Sequence, residues 1–178
     1  MREIRDRDWL TALFDRHHRQ VLAYAVRRVG RDHAEDVLAE VFVVAWKRRS
    51  DVPEPPLPWL LRAARNHVLH HQRALARRAR LHDAAADVAP RSTPSAEDAS
   101  HALVDSVLSS LDEIDAEILR LAVWEELTPA EISEVLGIAP STARTRLMRA
   151  RRRAQSAYAP DPSAADAADP LPAERFGA

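Results

Sequence analysis

The chain of 178 residues has no cysteine, only three glycines, and aromatic side chains at just 5% of positions. Without cysteine there is no disulfide framework, no thiol redox switch and no cysteine-ligated zinc, which fits a reducing compartment. Three glycines leave little for the phosphate-cradling loops of nucleotide enzymes, and no nucleophile elbow, dinucleotide fingerprint or carboxylate constellation takes their place. Enzyme catalysis and a cofactor are therefore not expected. No signal-peptide core and no apolar run of about eighteen residues is present, so the expected location is the cytoplasm, without membrane insertion.

What is present favours helices. Hydrophobic residues make up 46% of the chain, dominated by alanine and leucine among many arginines, the composition of an all-α protein. The net charge of −1 hides a strong segregation. Residues 62–80 carry arginine at 62, 65, 73, 77, 78 and 80 with no acid, whereas residues 105–134 are predominantly acidic. Two basic surfaces on a nearly neutral chain suit a nucleic-acid partner touching both.

Punctuation divides the chain. Helical periodicity through residues 1–80 gives way at residues 81–103 to Pro, Ser, Ala and Asp, the composition of a flexible linker. A second helical unit follows at residues 104–158, and residues 159–178 are again Pro, Ala and Asp rich, as a disordered tail is. The expected architecture is two small helical domains on one tether.

The second unit carries the most informative stretch. Thr128-Pro129 is a favoured helix start, and Ile132, Val135 and Leu136 give the short helix that follows one apolar stripe. Gly137 supplies the backbone freedom for a sharp turn, with Ile138 plugging the corner. Beyond Pro140, Ser141 and Thr142 offer caps and phosphate donors at a helix N-terminus. Ala143, Leu147 and Ala150 then form a narrow inward face, while Arg144, Thr145, Arg146, Arg149 and the arginines at 151–153 occupy the remainder without one acid. This is a helix-turn-helix whose second helix can read base edges and neutralise phosphates.

In the first unit, Leu10, Leu13, Phe14, His17, Val21, Leu22, Tyr24, Ala25 and Val29 outline an amphipathic helix ending near Gly30, after which Asp32 is expected to cap the next. The second helix has a broad apolar stripe, with Val37, Leu38, Val41, Phe42, Val44, Ala45 and Trp46, wide enough to serve a partner as well as a core. A proline-rich loop at residues 51–58 leads to a third helix with Leu60, Leu61, Ala64, Val68, Leu69 and Leu75 for burial and a basic polar side. His67 and His71 lie one turn apart, but no third ligand accompanies them, so no metal is expected. Glu125-Glu126 reads as a solvated helix end.

Three segments in order, AEDVLAEVFVVAWKR (34–48), PLPWLLRAARNHVLHHQRALARR (56–78) and LDEIDAEILRLAVWEELTPAEI (111–132) with its helix-turn-helix, resemble bacterial RNA polymerase sigma factors of the extracytoplasmic-function (ECF) type. The resemblance spans about residues 9–158. It implies a sigma-2-like and a sigma-4-like domain, with core RNA polymerase and promoter DNA as partners and an anti-sigma factor as a common regulator. By resemblance, Asp36, Glu40, Phe42 and Trp46 would dock the polymerase. Ala39 stands where the family often has glutamine, removing one interfacial hydrogen bond worth on the order of 1 kcal/mol. Phe42 and Trp46 read equally as core.

The same resemblance directs Trp59, Arg62, Arg65, Asn66 and Arg73 to the −10 element, and Ser141, Thr142, Arg144, Thr145, Arg146 and Arg149 to the −35 element. Trp59 has a second reading as core beside Leu60 and Leu61. The two promoter elements lie roughly 70 Å apart, and a flexible segment of about twenty residues averages only ~25 Å, so the free chain should read a promoter poorly. The competing function is a polymerase-independent helix-turn-helix regulator that uses the second unit alone. A helical adaptor with no DNA partner leaves the arginine helix unexplained.

Overall fold

The computed structural model describes residues 5–81, 104 and 106–158, and all regular structure among them is helical. Six helices with defined bounds succeed one another, α1 (Arg7–Val29), α2 (Arg31–Lys47), α3 (Leu57–Leu81), α4 (Glu113–Val123), α5 (Pro129–Leu136) and α6 (Pro140–Tyr158), and residues 106–109 are also helical. The expected linker, apart from Leu81, and the expected tail lie outside the described residues.

Local chemistry explains most boundaries. Asp6 caps α1 by accepting from the amides of Asp8 and Trp9 at 3.1 and 3.2 Å. Gly30, at φ 75°, ends α1 and is also the residue before α2, so one positive-φ glycine makes the corner between them. Asp32 consequently falls inside the first turn of α2 rather than at its cap, where its charge still favours the helix N-terminus. Thr128 and Glu131 form a complete capping box on α5, worth about 1 kcal/mol, and Gly137 closes that helix in the left-handed conformation at φ 67°.

α1, α2 and α3 form the first unit. Val21, Tyr24, Val41, Leu60 and Leu61 are fully buried where they meet, each large aliphatic contributing roughly 2 kcal/mol of transfer free energy. Leu75 stands outside this core, exposed on the distal part of α3. α4, α5 and α6 form the second unit around Ile118, Leu121, Ile132, Val135, Ala143 and Leu147.

The two units do not stand apart. α5 packs on α3, and most buried residues of both units join in one apolar cluster, while Leu108, Leu111, Ala116 and Ala150 form a smaller one within the second unit. A Cβ built on Gly137 would sit 3.6 Å from Arg62 Nη2, so the helix-turn-helix corner rests directly on the basic helix.

Candidate nucleic-acid and polymerase interfaces

Pro56 and Pro58 preset the first turn of α3 and are both buried, which fixes how the helix leaves its loop. From there Trp59, Arg62 and Asn66 fall on one face, and with Val44 of α2 and Arg48 just past its end they line a hollow of about 420 Å³. The indole is half-buried against the core and forms an apolar wall, whereas Arg62 and Asn66 are exposed. Both readings of Trp59 are thus compatible: the half-buried side chain packs against the core and also lines the hollow. An aromatic wall, an amide and two guanidinium groups suit a planar base with a hydrogen-bonding edge and a phosphate behind it.

Arg65 and Arg73 do not join that hollow. They line a different cleft, of about 410 Å³, between the units, beside Tyr24, Glu113 and Glu117. In this arrangement they face acids of the second unit.

On α2, Asp36, Ala39, Glu40 and Val43 are exposed at helical spacing and make one outward strip. Val43, 44% exposed, is a residue that sequence reasoning passed over, although its place three residues after Glu40 marks it. Phe42 departs from expectation: only 7% exposed and edge-on to Phe14 at 4.9 Å between centroids, it supports α2 from inside and offers no surface to a partner. Its neighbour Phe14, 38% exposed, carries the aromatic surface there. Trp46 is half-buried, with the Arg49 guanidinium 4.8 Å from its ring.

Along α6, Ser141, Thr142, Arg144, Thr145 and Arg149 are all exposed on the side away from Ala143, Leu147 and Ala150. Ser141 and Thr142 sit within the first turn, since α6 begins at Pro140, so they flank the free amides instead of capping them. Arg146 also turns toward α4. Its Nη1 lies 2.8 Å from the buried Asp115 and 3.4 Å from Asp112, and Arg153 reaches the other Asp115 oxygen at 3.3 Å. Both arginines therefore brace α6 against α4. The Asp112 carboxyl is held below its ordinary pKa, chiefly by the Asp115 amide that it caps and further by the Arg146 charge.

The seam between the units is electrostatic as well as apolar. Arg28 of α1, its side chain only 7% exposed, reaches Glu117 through Nε at 3.1 Å and Glu125 through Nη1 at 3.3 Å. Arg27 adds 2.7 Å to Glu125, and the Tyr24 hydroxyl donates to Glu117 at 3.2 Å. The Arg28 guanidinium lies 3.5 Å from the Tyr24 ring centroid, and the Arg27 group 5.5 Å from that of Trp124. Burial, followed by the Glu117 charge, raises the Tyr24 pKa far above its ordinary value, so the hydroxyl keeps the proton that it donates to Glu117. Glu125 is thus no solvated helix end: its side chain is 3% exposed and locked into the other unit.

This seam is not fully satisfied. Arg28 Nη2 sits 3.0 Å from Glu117 Oε1, near enough for attraction but out of line for a hydrogen bond, and buried Glu125 Oε2 has no partner among the described residues. Elsewhere, His33 and His71 pack ring to ring at 4.2 Å, and no group of three metal-ligating side chains occurs among the described residues. No described helix is long and apolar enough to cross a membrane.

These surfaces coincide with two family models: Sigma-70 region 2 matches residues 13–78, and Sigma-70, region 4 matches residues 101–153. The ECF RNA polymerase sigma factor SigL of Mycobacterium tuberculosis is 30% identical over 154 residues, covering 80% of this chain and 85% of SigL. The chain belongs to the ECF sigma factors of the sigma-70 family. A probable RNA polymerase sigma factor, RfaY of Xanthomonas campestris pv. campestris, is 32% identical over 129 residues, 66% of this chain and 32% of RfaY.

Among solved structures, the sigma factor RpoE bound to the anti-sigma factor NepR from Bartonella quintana matches with a TM-score of 0.64 at 19% identity, covering 85% of this chain and 97% of that one. CnrH in complex with the cytosolic domain of CnrY matches at 0.59 with 25% identity, covering 85% and 88%. As a sigma factor, the protein binds core RNA polymerase and directs transcription initiation at promoters. A polymerase-independent regulator is not favoured, because it gives no role to the region 2 match across α1, α2 and α3.

Proposed function

We propose that this sigma factor divides its work among three surfaces. The strip of Asp36, Glu40 and Val43, flanked by Trp46, docks the polymerase. The hollow of Trp59, Arg62 and Asn66 takes a base extracted from the −10 element, with Arg65 and Arg73 tracking the strand once the units separate. Ser141, Thr142, Arg144, Thr145 and Arg149 of α6 face the −35 duplex, and Arg146 contributes by orienting α6. Residues 1–80 then make the sigma-2-like domain and residues 104–158 the sigma-4-like domain, with residues 81–103 as their tether and residues 159–178 beyond. Its chemistry is recognition of DNA and protein, with no catalysis and no cofactor.

The observation that carries this reading is the hollow of about 420 Å³ that brings Trp59, Arg62 and Asn66 to one place. Extracting a base costs a few kcal/mol of stacking, and an aromatic wall beside guanidinium groups offsets a cost of that size. The closed seam adds a condition. With Gly137 against Arg62, the start of α6 lies within roughly 30 Å of the hollow, less than half the ~70 Å between promoter elements. Polymerase binding must therefore separate the units, which turns two weak contacts into one bivalent interaction. A protein that holds the seam closed is an anti-sigma factor in physical terms, and the complexes formed by the similar RpoE and CnrH support a partner of that kind here.

The test is a pair of promoter selections with holoenzyme reconstituted from core polymerase. Asn66→Ala is expected to relax base preference at the −10 element only, and Arg144→Ala at the −35 element only. Preferences changing at the opposite element, or at neither, would reject the assignment.

A further inference from the structure

An apolar groove lies on the second unit away from all three proposed surfaces. Val104, Val107, Leu108, Leu119, Val123 and Trp124 line a hollow of about 360 Å³ where the residues ahead of α4 meet α4 and the last turns of α6. Val104 is 42% exposed, Val123 59% and Trp124 38%, so three large apolar side chains are open to water in one place. Single exposed apolar residues need no explanation, but a contiguous concave set of them does. One charge, Arg120, also borders the hollow.

The wall formed by α6 consists of Ala154 and Gln155, one turn before the described helix ends at Tyr158. Twenty residues follow, 159–178, and their only large apolar side chains are Leu171 and Phe176, within the sequence LPAERF. Twelve residues separate Tyr158 from Leu171. A coil of that length averages ~20 Å end to end, and the groove begins about 6 Å back along the helix. The segment is therefore within easy reach. Tethering at this distance gives a local concentration in the ~mM range, so even a contact of millimolar affinity is half occupied.

Charge points the same way. Residues 159–178 hold Asp161, Asp166, Asp169 and Glu174 against a single Arg175, whereas α6 carries six arginines and no acid. Glu174 lies two residues before Phe176, placing a carboxylate beside the anchor that enters a groove bordered by Arg120.

We infer that residues 171–176 of the chain itself dock in this groove, with Leu171 and Phe176 as apolar anchors and Glu174 toward Arg120. Trp124 belongs both to the groove and, through Arg27 at 5.5 Å from its ring centroid, to the seam between the units. An occupied groove thereby steadies the residue on which Arg27 rests and favours the closed arrangement.

The absence of native cysteine allows a direct test in the full chain, without polymerase or DNA, so its outcome is independent of the promoter assignment. Val123→Cys is paired with Gly177→Cys, beside the anchor but not itself an anchor; Val43→Cys with Gly177→Cys is the control pair. Under mild oxidation the groove pair is expected to form an intramolecular disulfide at least tenfold faster than the control. Adding Leu171→Asp and Phe176→Asp should return it to the control rate. Equal rates for the two pairs, a rate indifferent to the aspartates, or disulfides that link two chains would overturn the proposal, the last assigning the groove to a second copy.

Discussion

Replacing Arg28 with alanine is expected to open the seam while leaving both helical units folded. Arg28 reaches Glu117 through Nε at 3.1 and 3.3 Å and Glu125 through Nη1 at 3.3 Å. Removing one partner of a buried ion pair costs about 3–5 kcal/mol when the other charge stays buried. Here the two glutamates can escape into water if the units part, so the loss falls on closure rather than on folding. A loss of about 3 kcal/mol changes the ratio of closed to open molecules by roughly 100-fold. Dyes on Val43→Cys and Met148→Cys, at positions 44% and 55% exposed, report the separation by energy transfer. Arg28→Ala should lower the transfer efficiency with helix content unchanged, and Glu117→Gln with Glu125→Gln in that background should recover part of it. Unchanged transfer in Arg28→Ala would refute the reasoning and leave the seam to its apolar contacts alone.

Two arginines of α6 are expected to fail differently. Arg149→Ala removes an exposed guanidinium and should weaken promoter binding roughly 5- to 150-fold, by ~1–3 kcal/mol, with stability unchanged in thermal denaturation. Arg146→Ala leaves Asp115 with Arg153 alone and should lower the stability of the second unit in the same melt. Tyr24 gives a pH signature. Its raised folded-state pKa means that its contribution is fully present below the unfolded value of about 10 and declines as pH rises beyond it. Denaturant midpoints should fall above pH ~10, and Tyr24→Phe should flatten that decline; the same slope in the variant would assign it to other groups.

The parts of the fold legible in the sequence are those governed by residues adjacent in the chain. Thr128-Pro129 and Gly137 bracket α5 as expected, because a cap and a left-handed stop act within one turn. Gly30 ends α1 for the same reason, and its second role before α2 is what displaced Asp32 from the cap. Glu125 was misread because it is decided by another element, Arg27 and Arg28 ninety-seven or more residues away; the packing of Phe42 on Phe14 and the pairing of Arg146 with Asp115 are likewise set by neighbouring helices. A helix pattern shows which face is apolar but not what meets the polar one. The basic and acidic stretches were visible as segregated charge, yet only the fold shows that Arg27 and Arg28, outside the basic run, meet those acids.

The most direct measurement is run-off transcription from a pooled promoter library by purified core polymerase from a related bacterium, with and without this protein. Discrete start sites that depend on the protein are predicted, with two sequence elements enriched upstream at a fixed spacing. No protein-dependent transcript and no association with core, alongside retained duplex binding, would contradict a sigma role.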